Sequence, residues 1–313
     1  MTSVSGTAEL LSAAPGRSGT SGTSGTAELL SARTGMDAVT LHVGDLAAMG
    51  GYYRDAVGLS TLAEGDGFRV LGRGATPVLV LRHTPGLPRP ARGQAGLFHT
   101  AILFDDHADL AASVLSTARH PRSQFVGNAD HLVSVAFYFT DPEGNGIELY
   151  VDRPRQEWVY QGRQVLMDSL HLDAQAFLRT HLTEQAAARL HDAAAKVGHV
   201  HLQVGDIAAA KEFYADALGF ATTFEAPGAL FVSAGGYHHH LAVNVWSSRG
   251  AGPRASTLGL GEVTITVPDR AELDAAAVRM QHRGIAVRDD GRSLSMDDPW
   301  LNRVTLAVGG PSA

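Results

Sequence analysis

AVTLHVGDLAAMGGYYRDAVGL, beginning at Ala38, and HVHLQVGDIAAAKEFYADALGF, beginning at His199, are two copies of one pattern. Each opens with a short apolar strand, turns at Gly-Asp, continues as an amphipathic helix containing tyrosine, and closes on a Leu-Gly or Gly-Leu turn. Weaker copies begin HTAILFDDHADLAASVL at His99 and EVTITVPDRAELDAAAV at Glu262. The turn aspartate lies seven residues after the first residue quoted in every copy, at Asp45, Asp106, Asp206 and Asp269. That interval gives the four strands a common register. At Gly44-Asp45 and Gly205-Asp206 the aspartate reads as a helix cap, not as part of a phosphate loop.

Each copy is followed by several strands, so the chain reads as four βαβββ modules in an α+β fold. Gly/Pro-rich stretches near Pro85 and Ser247 separate copies one from two and three from four. The expected organisation is a domain over 36–152, a connector with a helix over 153–196, and a second domain over 197–309. Residues 1–35 are rich in Ser, Gly, Thr and Ala and contain SGTAELLSA twice, at Ser5 and at Ser24. Such a composition buries little apolar surface, so a flexible tail is expected.

Bulk properties remove several classes of function. A net charge of -7 offers no basic face for nucleic acid or anionic lipid. No apolar run approaches the ~20 residues of a spanning helix, and no secretory leader is evident, so a cytoplasmic protein is expected. The chain has no cysteine, so any metal must be held by His, Asp or Glu, and 15 histidines make that feasible. No GxGxxG, GxxxxGK or GxSxG occurs in the required context, which leaves nucleotide binding and serine hydrolysis without support.

The repeated module resembles the vicinal oxygen chelate superfamily, which includes glyoxalase I, bleomycin resistance proteins and extradiol dioxygenases. The resemblance covers residues 38–308 and implies cup-shaped sheets, with metal ligands on the first and last strands of the modules. In the common register, the first-strand ligand position holds Ala38, His99, His199 and Glu262. The last-strand position is Glu148 in copy two and Thr305 in copy four. His99, His199 and Glu148 thus make a two-histidine, one-carboxylate triad of the kind that leaves one side of Fe(II) open for substrate and O2, with Mn(II) the alternative ion. This assignment requires copies two and three to be neighbours, with copies one and four a metal-free pair. If copies one and two paired instead, the triad would have to be completed between subunits of a homo-oligomer.

DHLVSVAFYFTDPEGNGIE, from Asp130 to Glu148, is similar to the extradiol dioxygenase signature, although Ala129 departs from it two residues before the histidine. The similarity implies that His131 and Tyr138 hydrogen-bond substrate or oxygen. In AGGYHHHLAV, alternation along a strand predicts that His238 and His240 face the cup and His239 faces away. By resemblance, His238 is the acid/base group and His240 lies nearer to where glyoxalases place a fourth ligand. His42 matches Gln203 and reads as a lining or structural residue.

The expected function is extradiol cleavage of a catechol-like aromatic diol with O2, with a histidine tuned to move a proton near neutral pH. One rival is a glyoxalase-type lyase or isomerase using four protein ligands and a metal as Lewis acid. The other is a non-catalytic resistance protein that sequesters an aromatic drug.

Overall fold

All four turn aspartates cap helices. Asp45 accepts from the Ala48 N–H, Asp106 from those of Ala108 and Asp109, Asp206 from Ala209, and Asp269 from Glu272. Each cap ends a first strand and fixes the start of the following helix. The structure, a computed structural model, describes residues 29–162 and 164–309. No helix among them is long and apolar enough to cross a membrane.

The four expected modules are present. Their first strands are Gly35–Val43, Gly96–Phe104, Ala195–Gln203 and Gly259–Val267, and each module adds three more strands after its helix. Two eight-stranded sheets result. One is made of modules one and four, the other of modules two and three, and in each the two first strands pair antiparallel at the centre. The pairing that the ligand assignment requires is therefore the one observed.

Helices pair differently from sheets. The module-one helix, Leu46–Tyr52, runs on as a π turn over Tyr53–Val57, against which the module-two helix His107–Arg119 packs. The Ser113 and Thr117 hydroxyls donate to the carbonyls of Val57 and Ala56. Module three repeats the device, with Ile207–Lys211 continuing as a π turn over Glu212–Ala217.

In both halves of the chain a buried tyrosine from such a π turn reaches into the next module. Tyr53 donates to Asp141 at 2.8 Å, and Tyr214 to Asp298 at 2.8 Å. Each aspartate also accepts from an asparagine four residues on, Asn145 or Asn302, through backbone and side chain. Burial raises both carboxyl pKa values despite these donors. Sheets thus join modules across the two halves of the chain, while helices and Tyr–Asp pairs join them within each half. One apolar core runs through all four modules.

Most of the flexible tail expected for residues 1–35 lies outside the described residues. Within residues 29–35, Leu30 and Thr34 are buried while Leu29, Ala32 and Arg33 are exposed. Leu30 is 4% exposed and belongs to the core, its N–H donates to the Gly219 carbonyl at 2.8 Å, and the Ser31 N–H donates to Glu272. The second copy of SGTAELLSA therefore contributes an apolar anchor, which composition alone does not reveal. The connector contains two short helices, Ala174–His181 and Glu184–Ala188, after a small hairpin, Tyr160–Gln161 with Gln164–Val165.

Removing the tyrosine hydroxyl in Tyr53→Phe or Tyr214→Phe leaves a buried carboxyl short of a donor. Each variant should lose about 1–3 kcal/mol of stability in urea unfolding. A change near zero in both would show that the Tyr–Asp pairs do not hold the modules together.

Candidate metal centre and its cavity

Ala101, in the first strand of module two, has His199 as its antiparallel partner on one side and Glu148 as its parallel partner on the other. His99 lies two residues earlier on the same face and pairs with His201. Small side chains, Ala101 and Ala136, form the floor beneath with Tyr150. Gly198 permits this arrangement, since a Cβ there would stand 1.8 Å from the Tyr150 hydroxyl.

Three side chains meet on this floor. Glu148 Oε2 is 2.9 Å from His99 Nε2 and 3.0 Å from His199 Nε2, and all three residues are buried. Among the described residues this is the one group of three whose ligating atoms cluster, within 4.8 Å of one another. The His99 contact is short, but its angle is wrong for a hydrogen bond, which leaves Nε2 buried without a partner. A metal satisfies that atom better than a proton does. Neighbouring ligand atoms on an octahedron with ~2.1 Å bonds are about 3.0 Å apart, which is the separation seen here.

The protonation states suit a cation. Burial works against ionisation of Glu148, but His199 and His99 outweigh it and hold the carboxyl well below its usual range. Burial lowers the pKa of His199 and keeps that imidazole neutral, although Glu148 opposes the shift. An anionic carboxylate and a neutral imidazole are the ligating forms.

His131 and Tyr138 lie beside the group. Tyr138 sits on the strand Ser134–Thr140, directly across from Glu148, and its hydroxyl is 2.7 Å from His131 Nε2. His131 Nδ1 is 2.8 Å from the Asp168 carbonyl, which can only accept, so Nδ1 carries the proton and Nε2 accepts from Tyr138. Burial, reinforced by the Glu148 charge, pushes the Tyr138 phenol well above its usual pKa and keeps that donor protonated. The turn after His131 is held in the left-handed region at Leu132, φ 69°, with its N–H bound to Asp130. Such strain at a non-glycine residue is found where a side chain must be aimed.

The histidine triplet corrects the strand-alternation reading. Its residues precede the strand Leu241–Asn244 and lie in a turn, which presents them in the opposite sense to that expected. His239 is the one that lines the cavity, with its ring centroid 4.1 Å from that of His199. His238 points away, fully buried, with Nε2 2.8 Å from Asp152 and Nδ1 2.7 Å from His239 Nδ1. His240 accepts from the Ala234 N–H and lies 3.1 Å from Ser233 Oγ. His42 lines a separate small pocket in the sheet of modules one and four. In that sheet Thr305 donates to Glu262, and no histidine stands at Ala38.

The group opens into a cavity of about 670 Å³. His201, Phe98 and Trp246 form part of its wall, and Met167, Asp168 and Ser169 from the connector form another part. His201 was missed in the sequence, although its place two residues after His199, on the same strand face, was a signal for it. The connector residues offered no such signal, because nothing local ties them to the cup.

A family model described as the Glyoxalase/Bleomycin resistance protein/Dioxygenase superfamily matches residues 35–149 and 196–293. A catechol-2,3-dioxygenase from Bacillus subtilis (strain 168) is 36% identical over 255 residues, which is 79% of this chain and 88% of that protein. Among solved structures, glyoxalase I from Zea mays covers 88% of this chain and 92% of its own, with TM-score 0.54 and 18% identity. The cppA protein from Streptococcus pneumoniae covers 88% and 99%, with TM-score 0.54 and 14% identity. These two structures share the fold.

His99→Ala, His199→Ala and Glu148→Ala should each lose bound divalent metal, read by elemental analysis after gel filtration, while the circular dichroism of the fold persists. Full metal occupancy in all three would remove the centre from these residues. A pH dependence also follows from His240, whose pKa burial lowers to about 3. The unfolded chain binds a proton near 6.5, so stability is complete above that pH and falls on acidification towards 3, by at most about 1.4 kcal/mol per unit. In the metal-free protein, His240→Asn should flatten urea midpoints measured between pH 7.5 and 5.5. An unchanged slope would assign the acid sensitivity to other groups.

Proposed function

This chain belongs to the glyoxalase/bleomycin resistance protein/dioxygenase superfamily, and within it we propose that it is an extradiol ring-cleaving dioxygenase acting on a catechol-like diol with O2. The observation that carries this reading is the hydrogen-bonded pair of His131 and Tyr138 on the cavity wall beside His99, His199 and Glu148. Those three residues would hold Fe(II), with Mn(II) the alternative. The ion, when bound, supplies open positions that bring diol and O2 together and a path for electrons between them.

The chain's own residues then handle protons. Asp152 is a carboxylate acceptor, so His238 donates to it from Nε2 and, as a neutral imidazole, accepts at Nδ1. His239 therefore donates from Nδ1, and its Nε2 keeps a free lone pair on a ring that lines the cavity. This inventory moves the proton-transfer role expected of His238 to His239, with His238 and Asp152 fixing its tautomer. Tyr138 donates to His131, which leaves the phenol oxygen able to accept from substrate.

Two features favour this reading over a glyoxalase-type lyase. His240, the candidate fourth ligand, neither lines the cavity nor belongs to the ligand cluster, and a His–Tyr pair serves oxygen chemistry better than enediolate chemistry. A non-catalytic drug-binding role would leave the buried ligand set unexplained.

Protein loaded with iron under anaerobic conditions should consume O2 with catechol and release a yellow ring-fission product. His239→Phe should keep its iron and bind catechol, yet lose about 10²-fold or more in kcat. His238→Phe should lose less, since it acts through His239. Iron retention without O2 uptake on any diol would sink the proposal.

A further inference from the structure

Outside the metal group, the cavity wall is mainly apolar, with His131, His201, His239 and Asn128 among its polar side chains. No lysine or arginine is among the residues that line it, and its two carboxylates belong to Glu148 and Asp168. An aromatic wall leads outward from the centre. The Phe98 ring lies 5.3 Å from that of His99 and 5.5 Å from that of Trp246, edge-on to the latter. Phe224, Pro227 and Met167 extend the apolar lining. Trp246 is 57% exposed and Val126 62% exposed, so large apolar side chains stand open to water where they border the cavity. Apolar surface of this kind is covered when a ligand occupies it.

The volume points the same way. At about 670 Å³ the cavity far exceeds a single-ring diol, and unsubstituted catechol would leave most of it to water. Part of the wall also lies outside the segments matched by the superfamily. Met167–Ser169 belong to the stretch between the two segments matched by the superfamily. The Asp168 carbonyl holds His131, so the connector that shapes the outer cavity also orients a residue at the centre.

We propose that the site selects uncharged diols carrying an apolar aryl or alkyl substituent and rejects diols carrying a carboxylate. The inference rests on the ring-cleaving reading above. A ring carboxylate would enter a mainly apolar cavity with no lysine or arginine to pair it and with Asp168 at its wall, which costs far more than the loss of a contact. An aryl or branched alkyl group would cover the exposed faces of Phe98 and Trp246.

Four probes decide it on the iron-loaded protein: catechol, 2,3-dihydroxybiphenyl, 4-tert-butylcatechol and 3,4-dihydroxybenzoate. The two apolar diols should exceed catechol in kcat/KM by about tenfold or more, and the carboxylated diol should fall below it by about 100-fold. Trp246→Ala should shrink the ratio of dihydroxybiphenyl to catechol at least about fivefold, with Trp246→Phe in between. Dihydroxybenzoate turned over as well as catechol, or a ratio indifferent to Trp246, would overturn the selectivity while leaving ring cleavage intact. If none of the four diols is opened, the ring-cleaving reading fails instead. Anaerobic calorimetry then still separates the cases: tighter binding of the apolar diols upholds the preference, and equal binding of all four overturns it.

Discussion

Ala101 is the residue whose two strand partners are His199 and Glu148, and the centre depends on that register. The first strands of modules two and three run antiparallel, so His199 arrives from one side, while the last strand of module two brings Glu148 from the other. A slip of one residue in either pairing would turn a ligand to the opposite face of the sheet. The irregularity between Val197 and His199 and the glycine at 198 set this register locally, because a side chain at 198 would collide with Tyr150.

That register is held from a distance. The two first strands come from opposite halves of the chain, and their pairing closes only if each half is folded against itself. The Tyr53–Asp141 and Tyr214–Asp298 pairs do this within the halves, each with an asparagine completing the shell around the carboxyl. A buried carboxylate with fewer donors would be costly, so the tyrosine, aspartate and asparagine act as a unit. Asp141 also connects this scaffold to the centre, since it opens the turn that leads into the strand bearing Glu148.

The two sheets share one scaffold but differ in chemistry. In the sheet of modules two and three, a carboxylate and two imidazoles are buried against one another, an arrangement that charge and burial make uncomfortable without a cation. At the matching positions of the other sheet, Glu262 accepts from Thr305 and Ala38 offers no ligand. One hydroxyl there does locally what a metal would do here. The chain therefore keeps duplicate folding machinery and, among the described residues, a single candidate centre.

The module repeat and the helix-capping aspartates were legible in the sequence because each is a local pattern, a seven-residue interval and a cap, and the three clustered side chains were reached by laying the ligand positions that the family resemblance implies on that register. The same locality explains the misreading of the histidine triplet. Alternation gives which residues share a face but not which face, and the turn after Ser233 sets the phase so that His239 faces the cavity and His238 the interior. The packing of Leu30 against Gly219 and of Met167–Ser169 over the cup depends on contacts between segments remote in the chain, which no local pattern encodes. The sequence by itself determined which residues are able to bind a cation and which scaffold carries them. Tertiary structure alone decided which modules pair, which histidine meets the cavity and what lines its outer wall, because those follow from the packing of distant surfaces.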